Sequence, residues 1–180
     1  MKNNETNSPF FNLISDQFTY GGQKYAYGKG KESTDILFDT FGKNWLLGTM
    51  TKYCFRYTNL KRERDLLKTA CYCYILWLKR GFYYSTEGLN KVQDTNVNLK
   101  NNNFILFKNQ YDKFKENNEV TWKFTALYDV LSILAEVEFN KINEFIIFSI
   151  LRMIEYNWEK EYKSKTTHDT DTNNEQNKTS

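Results

Sequence analysis

The stretch that decides the fold is KRERDLLKTACYCYILWLKR, residues 61–80. All nine residues from Ala70 to Leu78 are apolar or aromatic, so a helix here would be buried on nearly every side. Glu63 and Asp65 lie near the start of the stretch, and its basic end, Lys79 and Arg80, is followed by Gly81, which is typical of helix ends. The stretch therefore predicts a buried central helix that other helices surround.

Segments on either side of this stretch supply the surrounding helices. Apolar residues at helical spacing predict helices over residues 32–41, 44–57, 121–139 and 141–162, and a shorter helix over 104–115. Gly42 would end the first of these, and Asn101 to Asn103 indicate a loop. We therefore predict an all-α fold, a compact helical bundle of about five to six helices with a disordered C-terminal tail.

The chain is expected to hold one domain, over residues 31–162. Residues 1–30 are expected to form an N-terminal arm that ends in a Gly-rich and aromatic loop, over residues 20–30. Residues 163–180 are polar and predict the disordered tail. A single Pro and eight Gly in 180 residues argue against a many-turned β-sandwich, because such a fold needs these residues at its turns.

Several classes of protein are excluded by composition. The one His, His168, lies in the tail, which argues against a His-based catalytic triad or a multi-histidine zinc site. Cys54, Cys71 and Cys73 are odd in number and are expected to be buried, reduced thiols. Apolar runs are far shorter than the roughly 18 residues of a membrane span, and the first residues do not form a secretory signal. A cytoplasmic protein without a membrane partner is therefore expected.

Charge is concentrated in one segment. Residues 43–80 contain nine Lys or Arg against Glu63 and Asp65, a net charge of +7, which leaves −4 for the rest of a chain whose total is +3. This asymmetry indicates a local anion site rather than a basic coat over the whole surface. The alternative is a solvated basic helix face.

A phosphate site is the sharpest hypothesis within that segment. Lys52 and Arg56 lie four residues apart, on one helix face, and Gly48 lies one turn earlier. The glycine would permit close approach of a phosphate, and arginine offers a bidentate fork. Alternatively, the two cations pair with Glu63, Asp65 or another carboxylate. Tyr25 and Tyr53 could stack a nucleotide base, although aromatic residues this frequent are mostly core.

Two groups of carboxylates could place Mg²⁺. Glu32, Asp35 and Asp39 share one face of the predicted helix over 32–41. Glu63 and Asp65 lie at the start of the central helix. The alternatives are an acidic solvent face for the first group and helix capping for the second.

Residues 48–72 resemble the phage SaV-like family. That family's pattern is a glycine, Lys-Tyr, Arg, a short polar loop, an acidic residue with Asp-Leu, and then Lys, Ala and Tyr. Some members are described as nucleotide kinases. The resemblance implies that the family's signature helix pair includes Lys52, Tyr53, Arg56, Asp65 and Lys68, so that Lys68 becomes a third phosphate-binding candidate.

A more distant likeness is to MazG-like all-α nucleotide pyrophosphohydrolases, which hold Mg²⁺ with paired carboxylates on two helices. Glu32 and Asp35 look like one half of that arrangement. In the other half, Lys68 stands where a carboxylate would be expected, three residues after Asp65. The Gly-rich loop with Lys-Ser or Lys-Thr of ordinary kinases does not occur in the sequence.

The function expected from these features is nucleotide binding, with possible processing of the nucleotide's phosphates. As an enzyme the protein would be a nucleotide kinase or a nucleotide pyrophosphohydrolase, with Mg²⁺ as its cofactor. The alternative is a non-enzymatic helical module that binds nucleic acid or an acidic protein. A homo-oligomer built from aromatic-rich helices is a further possibility.

Overall fold

A computed structural model describes residues 8–27, 31–82, 96–119 and 123–163. These residues form six α-helices, one pair of two-residue antiparallel strands and a short 3-10 turn over Phe139–Lys141. The predicted all-α bundle is confirmed. In chain order the elements are α1 (Pro9–Tyr25), β1 (Ala26–Tyr27), β2 (Lys31–Glu32), α2 (Ser33–Leu60), α3 (Glu63–Lys79), α4 (Asn96–Asn117), α5 (Phe124–Glu136) and α6 (Glu144–Glu161).

Helix α3 is the centre of the bundle, as its apolar run predicts. It contacts α1, α2, α4 and α6, whereas α5 lies against α2 and α6. Leu66, Ala70, Leu76 and Trp77 on α3 are fully buried. Since burying a large apolar side chain contributes about 1.5–3 kcal/mol, this helix supplies much of the stability of the fold.

Two indole–carboxylate hydrogen bonds tie α3 to α6. Near the end of α3, Trp77 Nε1 donates to Glu144 Oε1 over 2.9 Å, at the start of α6. At the other end, Trp158 Nε1 donates to Glu63 Oε1 over 2.7 Å. The two helices therefore run antiparallel and are joined at both ends.

Helix α2 is kinked at Gly42, where the sequence predicts a helix end. Gly42 has φ 62° and ψ −152°, a conformation that glycine adopts without a Cβ clash. The next residue, Lys43, donates from Nζ to the carbonyl oxygens of Ala135, at 3.0 Å, and Val137. The last carbonyls of a helix lack partners within it, so Lys43 caps the end of α5.

The N-terminal region differs from the prediction. Residues 20–25 belong to α1 rather than to a loop, and the arm expected over residues 1–30 contributes Phe10, Phe11 and Ile14 to the core. Pro9 fits the first position of a helix. Apolar spacing from Phe10 onward explains the rest, because packing of such a face outweighs the low helix propensity of glycines at the end of α1.

The loop predicted at Asn101 to Asn103 is also wrong. These residues lie within α4, where Phe107, Tyr111 and Phe114 face the core at helical spacing. Asparagine lowers helix propensity only slightly, so the aromatic face decides the local structure. The tail predicted to be disordered, residues 163–180, lies outside the described residues except for Lys163.

A buried ionic cluster joins α4 to α6. Glu155 is 2% exposed and accepts from Tyr111 Oη over 2.7 Å, from Lys115 Nζ over 3.2 Å and from Arg152 Nη1 over 3.2 Å. Burial, followed by the negative charge of Glu155, raises the pKa of Tyr111 well above its ordinary value. The phenol therefore stays protonated and holds the carboxylate.

No helix in the described part of the chain is both long and apolar enough to cross a membrane.

Candidate functional site

A cleft of about 380 Å³ lies where α1, α2 and α3 meet. This is within the roughly 300–1,000 Å³ typical of small-molecule sites. Aromatic side chains form much of its wall, and hydroxyl and amide groups come from Gln17, Ser33, Thr34 and Thr49. The aromatic residues of the wall are Phe18, Tyr20, Trp45, Tyr53 and Tyr72.

Three cations line the same cleft: Lys52 from α2, and Arg64 and Lys68 from α3. No carboxylate is found among the described lining residues. Cations at this density create a positive potential that attracts anions. The cleft therefore combines flat aromatic surfaces with a net positive charge.

Tyr53 lies at the centre of this arrangement. The Nζ atoms of Lys52 and Lys68 each lie 4.8 Å from the centroid of its ring, and Lys68 Nζ also donates to Tyr53 Oη over 3.5 Å. The ring stacks on Tyr72, with 6.0 Å between centroids and an interplanar angle of 23°. Cation–π contacts of this kind hold the ammonium groups beside the ring.

Helical periodicity explains why these residues meet. On α2, Trp45, Thr49 and Lys52 follow one another at intervals of three or four residues, and so lie on one face. On α3, Arg64, Lys68 and Tyr72 do the same. Because α2 and α3 pack against each other, the two faces become opposite walls of one cleft.

Arg56 has a different place from the one predicted. It does not line the cleft. Its Nη2 atom lies 3.5 Å from Asp65 Oδ1, and its guanidinium lies 5.6 Å from the Tyr53 ring centroid. Pairing with Asp65 was the alternative interpretation of the sequence, and the structure supports it for Arg56. Gly48, one turn before Lys52, is exposed and also lies outside the cleft wall.

Among the carboxylates predicted to hold Mg²⁺, those whose side chains the structure describes are not brought together. Asp35 pairs with Lys79 at 2.8 Å, and Glu63 accepts from Trp158. Asp65 is 1% exposed, and neither of its carboxylate oxygens has a hydrogen-bond partner among the described residues. Within the described ranges, no three His, Cys, Asp or Glu side chains are placed to hold a metal ion. The side chains of Glu32 and Tyr25 lie outside the described residues.

The basic segment 43–80 resolves into cations with different roles. Those that contact backbone carbonyls or carboxylates stabilise the fold: Lys43, Arg56, Lys61, Lys79 and Arg80. The cations of the cleft are Lys52, Arg64 and Lys68. Of the nine cations in this segment, three line the cleft.

Arg64, Tyr20 and Gln17 are lining residues that the sequence did not single out. The guanidinium of Arg64 lies 5.8 Å from the Tyr20 ring centroid, so this pair extends the aromatic and cationic surface towards solvent. The signal available for Arg64 was its position one helical turn before Lys68. The signal for Tyr20 was hidden by the loop predicted over residues 20–30, and that for Gln17 by the arm expected over residues 1–30.

The three cysteines are free and buried, as predicted. Burial raises the pKa of the Cys54 and Cys71 thiols from 9.0 to about 12, and raises that of Cys73 well above 9.0. Thiolates are the reactive form, so these thiols are inert in the folded protein. Cys71 lines the cleft without being available there as a nucleophile.

These pKa shifts predict a loss of stability in alkali. The folded thiols keep their protons up to about pH 12, whereas unfolded thiols lose theirs near 9.0. The contribution of the thiols to the free energy of unfolding is complete below pH 9.0, and it falls as pH rises from 9.0 to about 12. In urea unfolding, Cys73→Ala should flatten the fall by up to about 1.4 kcal/mol per pH unit. Equal slopes for wild type and variant would contradict this.

Comparisons of the chain with protein-family models, with curated proteins and with solved structures gave no match. The resemblance of residues 48–72 to the phage SaV-like family and the more distant likeness to MazG-like pyrophosphohydrolases therefore stay predictions.

Proposed function

We propose that this protein binds nucleotides in the cleft between α1, α2 and α3, and that it does so in the cytoplasm. The observation that carries the proposal is the wall itself, in which Lys52, Arg64 and Lys68 accompany Tyr53 and Tyr72. A nucleotide combines a flat base with an anionic phosphate chain, so its two halves match the two kinds of side chain. The resemblance of residues 48–72 to a phage family with nucleotide kinases points to the same ligand.

The roles of the residues follow from their chemistry. Lys52, Arg64 and Lys68 would hold phosphate oxygens through charge-assisted hydrogen bonds. The exposed parts of the tyrosine and tryptophan rings would stack the base. Arg56 would act indirectly. Its contacts with Asp65 and with the Tyr53 ring would hold that ring in place, and Lys52 and Lys68 contact the same ring.

Isothermal calorimetry and thermal melting with a matched set of ligands test the proposal. The set is a nucleoside, its mono-, di- and triphosphate, and inorganic phosphate. We expect affinity to rise from nucleoside to triphosphate, and the tightest ligand to stabilise the fold by about 2.7 kcal/mol at a concentration of roughly 100 Kd. Chromatography of the same mixtures would detect kinase or pyrophosphohydrolase products. If no nucleotide binds, the proposal is wrong.

A second candidate is a non-enzymatic module that binds single-stranded nucleic acid. It is favoured by Tyr20, which is 50% exposed and contacts Arg64 at the edge of the cleft, because alternating rings and cations suit a strand of stacked bases. The two candidates differ in salt dependence. Binding of an oligonucleotide should weaken with a log–log slope of about −0.7 for each phosphate contacted, whereas binding of one nucleotide releases few counterions.

A further inference from the structure

We infer that the cleft selects a nucleotide whose phosphates carry no metal ion, so that Mg²⁺ competes with the protein for the ligand. The inference rests on the proposed function and narrows its ligand to the metal-free polyphosphate. It also differs from the sequence-based expectation of Mg²⁺ as a cofactor, since the donor groups described in the cleft do not suit that ion.

The first argument is the donor set. Mg²⁺ and other hard cations are held by oxygen ligands, usually with one or two carboxylates among them. The described wall offers hydroxyl groups and one amide, but no carboxylate. One of these hydroxyls, that of Thr49, already donates to the carbonyl oxygen of Trp45 over 2.8 Å. The part of the wall that the structure describes therefore lacks the carboxylates that would share a nucleotide-bound metal.

The second argument is where the nearby carboxylates point. Asp65, Asp35 and Glu63 belong to the same two helices as the cleft cations, yet none of them lines the cleft. Asp65 faces Arg56, Asp35 faces Lys79, and Glu63 accepts from Trp158. To ligate a metal in the cleft, each of them would have to give up a contact that stabilises the fold.

The third argument is electrostatic. Lys52 Nζ and Lys68 Nζ lie at equal distances of 4.8 Å from one ring centroid, so they are at most twice that distance apart, and Arg64 adds a third positive charge. These cations repel one another, and a bound polyanion relieves the repulsion. Mg²⁺ on the phosphates cancels part of the negative charge and occupies the oxygens that the cations would contact. The same cations that attract a free triphosphate therefore discriminate against its magnesium complex.

Calorimetry with ATP and with inorganic tripolyphosphate tests this inference. Each titration is run in EDTA and in excess MgCl₂, with NaCl adjusted to equal ionic strength. We expect the apparent Kd of both probes to rise by on the order of tenfold in MgCl₂, the equivalent of one lost charge-assisted contact. AMP is the matched control, and its Kd should change little because a single phosphate group binds Mg²⁺ weakly.

The outcomes separate this inference from the proposed function. Tighter binding of ATP in MgCl₂, or equal binding in both buffers, would overturn the inference and leave nucleotide binding in place. If MgCl₂ tightened ATP binding to the wild type but not to Glu32→Gln, Glu32 would be identified as a ligand of the metal ion. Absence of binding in both buffers would remove the proposed function together with the inference. Weaker binding of ATP and tripolyphosphate, but not of AMP, in MgCl₂ would support the inference that the cleft selects a metal-free nucleotide.

Discussion

Replacing Lys52 and Lys68 together with glutamine is expected to abolish most nucleotide binding. Each lysine lies beside the Tyr53 ring in the cleft, and a hydrogen bond to a charged group contributes about 1.5–3 kcal/mol. The loss of two such contacts lowers affinity by on the order of a hundredfold or more, since about 1.4 kcal/mol corresponds to tenfold. Calorimetry with the tightest ligand of the nucleotide series would measure the loss.

The matched control is the double substitution Lys113→Gln and Lys123→Gln. Both of these lysines are exposed, on α4 and at the start of α5, and their loss changes the net charge by the same amount. We expect this control to bind nucleotide within about twofold of wild type, because solvent and salt screen charges outside the cleft. If both double variants lost affinity equally, the effect would come from overall charge, and the cleft would not be the site. Circular dichroism would verify that both remain folded.

Among substitutions of single polar side chains, we expect Glu155→Ala to cause the largest loss in the free energy of unfolding. The substitution removes the acceptor of the buried Tyr111 hydroxyl and the partner of Lys115 and Arg152. Removing one partner of a buried ion pair lowers the free energy of unfolding by about 3–5 kcal/mol. The two cations are partly exposed, which places the expected loss near the lower end. Urea unfolding at neutral pH would measure it.

Glu159→Ala provides the comparison for this prediction. Glu159 also pairs with Arg152 at 3.2 Å, but its side chain is 34% exposed, so its loss should cost less than about 1 kcal/mol. Glu155→Gln keeps an oxygen acceptor for Tyr111, so its loss in the free energy of unfolding should lie between those of Glu155→Ala and Glu159→Ala. Equal losses for Glu155→Ala and Glu159→Ala would show that the cluster contributes no more than a surface pair.

The central helix and the interruption at Gly42, predicted as a helix end and found as a kink, could be predicted because each depends on residues close together in sequence. The apolar run in α3 and the single Gly42 are local signals that the tertiary structure preserves. Helix α1 could not be predicted from its last turn, where two glycines suggest a loop. Its helix depends on Phe10 and Phe11, which are buried against rings that come from α4 and α6.

The sequence singled out Lys52 and Tyr53 and, through the family resemblance, Lys68, and these three residues line one cleft. Sequence spacing could not show which of two partners a cation contacts. Arg56 has the same spacing from Lys52 as a phosphate-binding pair would have, but its partner is Asp65. Which cation faces a cleft and which faces a carboxylate depends on how α2 and α3 are rotated against each other, and sequence periodicity does not specify that rotation.

Helix α3 is at once the hydrophobic centre of the bundle and one wall of the cleft. Its position is fixed along its length by the core, and at both ends by the indole–carboxylate bonds to α6. The conformational entropy of ordering this wall is therefore lost when the chain folds, before any ligand arrives. A ligand that contacts Arg64, Lys68 and Tyr72 meets a preorganised backbone, and more of its interaction energy remains as affinity.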